Sequence, residues 1–247
     1  SAALKLGYRF FDTAQIYGNA SAIGRGVLLS DLPRAEIFIS SKIWTSHRSY
    51  DGVMRAFTDI IEQLKTTYLD QLLIHWPATQ GEPMIWQSQN AGTWRALEDL
   101  YEQGAVKVIG VSNFLPHHLV PLLARARIRP MVNQLEIHPG YPQFAAVNFC
   151  FKQNIAVQAW SPLGRGGLTH HPLLIELGEK YGVSPALIAL RWSLQHGFIP
   201  VVKALDAEHM KSNLDAFGLT LEDKDMTRLD TMQQVAFSGL HPDTVTF

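Results

Sequence analysis

Short runs of apolar and β-branched residues recur along the chain, and each closes on polar residues. They are "YRFFDTA" (8–14), "IFISSKIW" (37–44), "DQLLIHWP" (70–77), "VKVIGVSN" (106–113), "MVNQLEIH" (131–138), "IAVQAWSPL" (155–163) and "FIPVVKA" (198–204). Several are continuously apolar before their polar ends, the pattern of parallel strands buried on both faces. Between them the hydrophobic period changes from two to 3.6. Val53, Ala56, Phe57, Ile60, Ile61 and Leu64 repeat at three and four, which predicts an amphipathic helix over 50–65. Trp94, Leu97, Leu100 and Tyr101 form a second stripe with Gly104 as its stop. "SPALIALRWSLQHG" opens with Ser184 as N-cap and Pro185 at the first helical position, and ends at Gly197. Asp206 can cap a helix running to about Phe217, and "SAALKLGY" reads as the last turns of a helix stopped by Gly7.

Alternating strands and helices along the whole chain predict a parallel α/β fold in one domain, 1–247. Seven strands are visible, whereas a (β/α)8 barrel uses eight and so leaves no edge. The expectation is therefore a (β/α)8 TIM barrel whose first strand and part of its first helix are missing from this chain. A doubly wound open sheet is the alternative, but the G-x-G-x-x-G turn after a first strand is absent.

Composition narrows the class. Of 247 residues, 47% are hydrophobic and 17% charged, enough to bury a sizeable core. The formal net charge of −1 argues against a nucleic-acid or polyanion surface. Cys150 is the single cysteine, so no internal disulfide forms, and it reads as a small buried hydrophobe. No apolar run approaches the roughly 20 residues of a membrane span, and no signal peptide opens the chain. We expect a soluble, cytoplasmic protein.

The polar residues gather at the C-terminal ends of the runs. Asp12 ends the first, with Tyr17 five residues on. Lys42 ends the second and His75 the third. Ser112 and Asn113 end the fourth, Gln134, Glu136 and His138 mark the fifth, Trp160 and Ser161 the sixth, and Lys203 the last. Each has an ordinary explanation alone: a helix cap, a satisfied core histidine, a solvated charge. In a barrel, however, the C-terminal strand ends share the face where active sites are built. A tyrosine with a pKa near 10 is a weak acid. A lysine beside it favours tyrosinate, and an aspartate can hold that lysine. Such a tyrosine can exchange a proton with substrate, and a histidine can orient a carbonyl oxygen. That set suits carbonyl reduction, with the hydride supplied by a cofactor.

"GYRFFDTAQIYGN", "SSKIW", "LLIHWP", "IGVSNF", "NQLEIHP" and "AWSPLG" resemble, in order, the signatures of the aldo-keto reductases, from Gly7 to about Leu229. The resemblance implies a catalytic tetrad of Tyr17 as general acid, Lys42 as its modulator, Asp12 as the partner of Lys42, and His75 as the carbonyl-orienting group. It implies a nicotinamide cofactor bound without a Rossmann fold. Ser112, Asn113 and Gln134 match the residues that hold the carboxamide, and Trp160 the aromatic that stacks on the nicotinamide ring. Ser161, Leu163 and Gly164 belong to "SPLGRGG", which matches the loop over the pyrophosphate. Lys203 matches a lysine at the adenosine 2′-phosphate and Asn213 an asparagine near the adenine. Ala204 and His209 depart from the serine and arginine usual there, so NADP is expected with a reduced margin over NAD. Trp160 in place of the commoner tyrosine, and "HPD" at His241, are similar to the bacterial 2,5-diketogluconate reductase branch. Trp44, Trp76 and Trp86 would line an apolar substrate pocket. The expected partners are a small carbonyl substrate and no nucleic acid or membrane, and the expected state is a monomer with no metal.

Two rivals stand beside this reading. A nicotinamide-binding subunit of the same fold would turn over little substrate. A metal-dependent barrel hydrolase would use His75, Glu136 and His138, with Asp12 as a fourth ligand. That second rival leaves Tyr17, Lys42 and "VSNF" without a role.

Overall fold

Seven parallel strands and ten α-helices alternate among the described residues of the computed structural model, 2–78 and 83–247. In chain order they are α1 (Ala2–Lys5), β1 (Phe10–Asp12), α2 (Ala20–Leu28), β2 (Phe38–Ile43), α3 (Tyr50–Leu64), β3 (Leu69–Ile74) and α4 (Pro83–Glu102). Then follow β4 (Val106–Ser112), α5 (Pro116–Leu123), β5 (Val132–Glu136), α6 (Phe144–Lys152), β6 (Ala156–Trp160), α7 (Pro172–Tyr181), α8 (Pro185–Gln195), β7 (Ile199–Val201), α9 (Ala207–Leu214) and α10 (Asp223–Asp230). Order in the sheet follows order in the chain, from β1 to β7. Six of the seven predicted runs contain their strand whole, and β3 begins one residue before its run, at Leu69. No helix among the described residues is long and apolar enough to cross a membrane.

The chain divides into two compact units, one of residues 1–133 with His241–Phe247, the other of Gln134–Leu240. In the first, β1 to β4 pair in parallel, with Asp12 opposite Ser40, Lys42 opposite Leu73 and Gln71 opposite Val108. All six residues of β3 are buried, which explains its unbroken apolar reading. On α3 the cap is Ser49, whose Oγ accepts the Gly52 N–H at 3.1 Å. Its stripe buries Val53, Ala56, Phe57, Ile60 and Leu64. Packing of α2 needs Gly24, because a Cβ there would stand 2.6 Å from the Leu64 carbonyl oxygen. At the N-terminal end of β3, buried Asp70 accepts from the Ile39 N–H at 3.0 Å and pairs with Arg34 at 2.8 Å and Lys107 at 2.9 Å. That acid is structural, and it lies at the end of the strand away from His75.

In the second unit β6 pairs with β7 in parallel, Gln158 opposite Ile199. Ser184 caps α8 through the Leu187 N–H, and Asp206 caps α9 through the His209 N–H at 2.8 Å. Trp192 is fully buried and donates its indole N–H to Asp230 at 2.7 Å, fixing α10 onto α8. Cys150 is buried on α6, as its residue type suggests.

Candidate active site

The parallel register of β1 to β3 brings three strand ends together. Asp12 is the last residue of β1, Lys42 lies near the end of β2, and His75 directly follows β3. Tyr17 closes a 3₁₀ turn, Gln15–Tyr17, just beyond β1. Lys42 is fully buried; its Nζ lies 2.5 Å from Asp12 Oδ2 and donates to the Thr13 carbonyl at 3.0 Å. Ser40 Oγ donates to Asp12 Oδ1 at 2.9 Å, and Gln71 Nε2 donates to Ser40 Oγ at 2.9 Å. Asp12 is thus held from two sides. Ser40 and Gln71 were not singled out in the sequence. The usable signal is the spacing of Ser40 and Lys42, two apart and hence on one face of the strand.

Lys42 Nζ sits 5.2 Å from the centre of the Tyr17 ring, and Tyr17 and His75 meet edge to face at 5.8 Å. Burial raises the Tyr17 pKa above 10; the Lys42 charge and its hydrogen bond oppose this, and the Asp12 charge adds to it. The lysine acts in the expected direction, but desolvation outweighs it and the net shift is upward. Tyr17 is 49% exposed as a whole residue. His75 is pushed down to about 3 by burial first and by the Lys42 charge second. It is therefore a neutral imidazole at ordinary pH, and its Nδ1 is buried without a hydrogen-bond partner.

Trp44 packs edge-on against His75 at 5.0 Å. Phe247, which no pattern in the chain marks, stacks on Trp44 at 5.1 Å and meets Trp76 edge-on at 5.3 Å. Trp44, Trp76 and Phe247 thus form one aromatic wall beside His75. Trp86 packs instead on the His118 ring at 5.7 Å. Ser112 and Asn113 end β4 and are buried; Asn113 takes a left-handed φ of 63° and donates to the His75 carbonyl at 3.0 Å and to Ser112 Oγ at 3.1 Å.

In the second unit, buried Gln134 donates to Gln158 at 2.9 Å. Trp160 is partly exposed at the end of β6, with the Arg165 guanidinium 5.9 Å from its ring. Ser161, Gly164, Arg165 and Gly166 all have positive φ, from 49° to 91°. The turn closes on bonds from the Gly164 N–H to the Ser161 carbonyl at 2.8 Å and from the Gly166 N–H to the Leu163 carbonyl at 2.9 Å. A Cβ at Gly164 would meet Ala236 Cβ at 2.6 Å, so this tight loop depends on glycine there. Lys203 is exposed, while Ala204 and Asn213 are partly buried. His209 Nδ1 lies 2.5 Å from Asp206 Oδ2, so its nearest charged neighbour is the carboxylate that caps its own helix.

Two of the four ligands that the metal-site alternative would use, Glu136 and Asp12, are already engaged. Both Glu136 oxygens accept from Ser238, from its N–H at 2.9 Å and its hydroxyl at 2.6 Å. Asp12 is taken by Lys42 and Ser40.

Comparison with known proteins agrees with this arrangement. The Aldo/keto reductase family profile matches residues 1–234. Glyoxal reductase from Bacillus subtilis (strain 168) is 41% identical over 246 residues, covering 100% of this chain and 86% of that protein. The crystal structure of MGS-M4, an aldo-keto reductase enzyme from a Medee basin deep-sea metagenome library, superposes with a TM-score of 0.93 at 35% identity. It covers 100% of this chain and 89% of that one. A mutant of Gox0644 in complex with NADPH gives a TM-score of 0.91 at 36% identity, covering 100% and 88%. The fold is accordingly the (β/α)8 barrel type expected from the strand pattern, and the chain belongs to the aldo/keto reductase family of oxidoreductases.

Proposed function

We propose that this protein reduces aldehydes or ketones to alcohols with NADPH, using Tyr17 as proton donor. The observation that carries the reading is the cluster of Asp12, Lys42, Tyr17 and His75, with buried Lys42 next to both the acid and the tyrosine. The donor set fits a nicotinamide cofactor. Ser112 and Asn113, at the C-terminal end of β4, are hydroxyl and amide groups suited to a carboxamide; in the second unit, Gln134 on β5 offers another amide and Trp160 an aromatic face. When bound, NADPH supplies the hydride.

The chain's own residues do the rest. Trp44, Trp76 and Phe247 give the substrate an apolar wall. Neutral His75 donates a hydrogen bond to the carbonyl oxygen and so fixes which face of the carbon is open. Tyr17 gives its proton to that oxygen as negative charge develops there, and Lys42 stabilises the tyrosinate left behind. Asp12, Ser40 and Gln71 keep Lys42 in position.

Replacing Tyr17 by Phe removes the proton and keeps the ring. Turnover should fall by about 10²–10⁴-fold while NADPH affinity, followed by fluorescence titration, stays close to wild type. Glyoxal is the first substrate to assay, because the Bacillus relative bears that activity in its name. Retention of more than roughly a tenth of the rate would move the acid to another group.

His75 provides a second check. Its folded pKa of about 3 lies below the unfolded value near 6.5. As pH falls below 6.5 the unfolded chain takes up the proton first, so this group costs stability between about 6.5 and 3. The His75 imidazole signals in an NMR titration should not move between pH 8 and pH 5, and the activity profile should show no His75 limb near 6.5. A midpoint near the ordinary histidine value would mean that His75 is charged in the working site.

The cofactor preference follows from charge. Lys203 and the N-terminus of α9 suit a 2′-phosphate, but Asp206 puts a carboxylate at the same helix end and holds His209. Histidine also lacks the permanent charge and fork of arginine. We therefore expect NADPH to be preferred by a reduced margin, with measurable turnover of NADH. His209→Arg should tighten NADPH binding about tenfold, the worth of one charge-assisted bond. Unchanged affinity would place His209 away from the phosphate.

A further inference from the structure

The "HPD" motif, His241–Asp243, has no part in the chemistry above, yet its two ionisable side chains and its backbone are all bonded. Asp243 Oδ1 accepts from His117 Nε2 at 2.8 Å and from His118 Nε2 at 2.9 Å, both on the first turn of α5. His241 Nδ1 accepts the Asp243 N–H at 3.2 Å, and the His241 carbonyl accepts the N–H groups of Thr244 at 3.0 Å and Val245 at 3.1 Å. The segment is folded on itself and then fixed to α5 through one carboxylate. We propose that Asp243 is a positioning residue: clasped by His117 and His118, it holds the segment His241–Phe247 so that Phe247 completes the aromatic wall at Trp44 and Trp76. The substrate consequence rests on the carbonyl-reductase reading; the clasp itself does not.

Three observations carry the inference. His118 is fixed before it meets Asp243. Its Nδ1 accepts the Leu115 N–H at 3.0 Å, and its ring lies between the edges of Trp86, at 5.7 Å, and Phe114, at 5.9 Å. With Nδ1 accepting, the proton of the neutral ring must sit on Nε2, pointing at Asp243. Burial, then the neighbouring His117, push the His118 pKa down to about 4, so this donor stays in its neutral form. Burial pushes the Asp243 carboxyl up, but the His117 bond and the nearby imidazoles outweigh that and hold it below the ordinary aspartate value. Asp243 is thus an anion receiving two N–H bonds. Finally, Phe247 lies four residues beyond Asp243, a reach of at most about 14 Å, so fixing the acid confines the ring.

The same three side chains could in principle hold a metal ion, since their ligand atoms lie within 4.8 Å of one another. The His118 tautomer argues against it. Coordination through Nε2 would send the proton to Nδ1, where the Leu115 N–H already points.

The test compares three variants of the full chain. Asp243→Ala should raise hydrogen exchange across 241–247 by mass spectrometry. It should also raise KM for an aromatic aldehyde about three- to tenfold, the worth of a stacked aromatic contact, with kcat within about twofold. Asp243→Asn keeps an oxygen acceptor and should restore most of the exchange protection and of the KM. Phe247→Ala should raise KM equally without loosening 241–245, and adding it to Asp243→Ala should raise KM no further. Unchanged exchange in Asp243→Ala overturns the clasp. A loosened segment with unchanged KM, or additive effects in the double variant, overturns the positioning role. Protection that vanishes with EDTA and returns with zinc replaces the proton clasp by a metal site. If the wild-type protein reduces no carbonyl compound, the proposed function fails, while the exchange measurement still decides the clasp.

Discussion

A fully buried lysine is costly to hold, and the geometry around Lys42 follows from that cost. Removing an ammonium from water costs several kcal/mol unless the protein replaces what water supplied. Here Asp12 at 2.5 Å provides the counter-charge and the Thr13 carbonyl a second acceptor. Ser40 then donates to the far oxygen of Asp12, and Gln71 donates to Ser40 in turn. The arrangement depends on register. Asp12 stands opposite Ser40, and Lys42 lies two residues further along the same face of β2. A slip of one residue would turn Lys42 to the other face and leave Asp12 unpaired.

The pair also sets the charges of its neighbours. Lys42 and burial together keep His75 neutral. On Tyr17 the two effects oppose, with burial and Asp12 raising the pKa and Lys42 lowering it. Burial is the larger influence on both, and it leaves a neutral imidazole beside a proton-bearing phenol. Neither state could be read from residue types, because both depend on how deeply each group is buried.

Much of the fold was legible because its signals are periodic. Seven short apolar and β-branched runs became seven strands, and the stripes at Val53–Leu64 and Trp94–Tyr101 became α3 and the end of α4. The shorter helices α2, α5, α6, α7 and α10, of eight to ten residues, passed without being picked out, since two turns give little period to detect. The site was legible where a charge interrupts an apolar run, as at Asp12, Lys42 and His75. Ser40 and Gln71 were hidden because small polar residues in strands are ordinary. Phe247 follows the last regular element, where no period exists. Position by resemblance sets His209 beside the 2′-phosphate and is silent on Asp206. Its spacing of three from Asp206 already placed the two within reach on one helix turn, and the structure joins them. "HPD" was recognised as a motif, but its partners on α5 lie 126 positions away and only the fold reveals them.

The central claim is that the buried Asp12–Lys42 pair is present for proton transfer rather than for stability. Replacing both members at once, Asp12→Asn with Lys42→Met, removes the two charges without leaving either one alone in the interior. The decisive measurement is the single-turnover rate of carbonyl reduction by this double variant at neutral pH, with NADPH prebound. The account predicts a folded protein that binds NADPH normally and reduces its substrate about 10²-fold or more slowly than wild type. A double variant that folds, binds NADPH and reacts within about tenfold of wild type would contradict it.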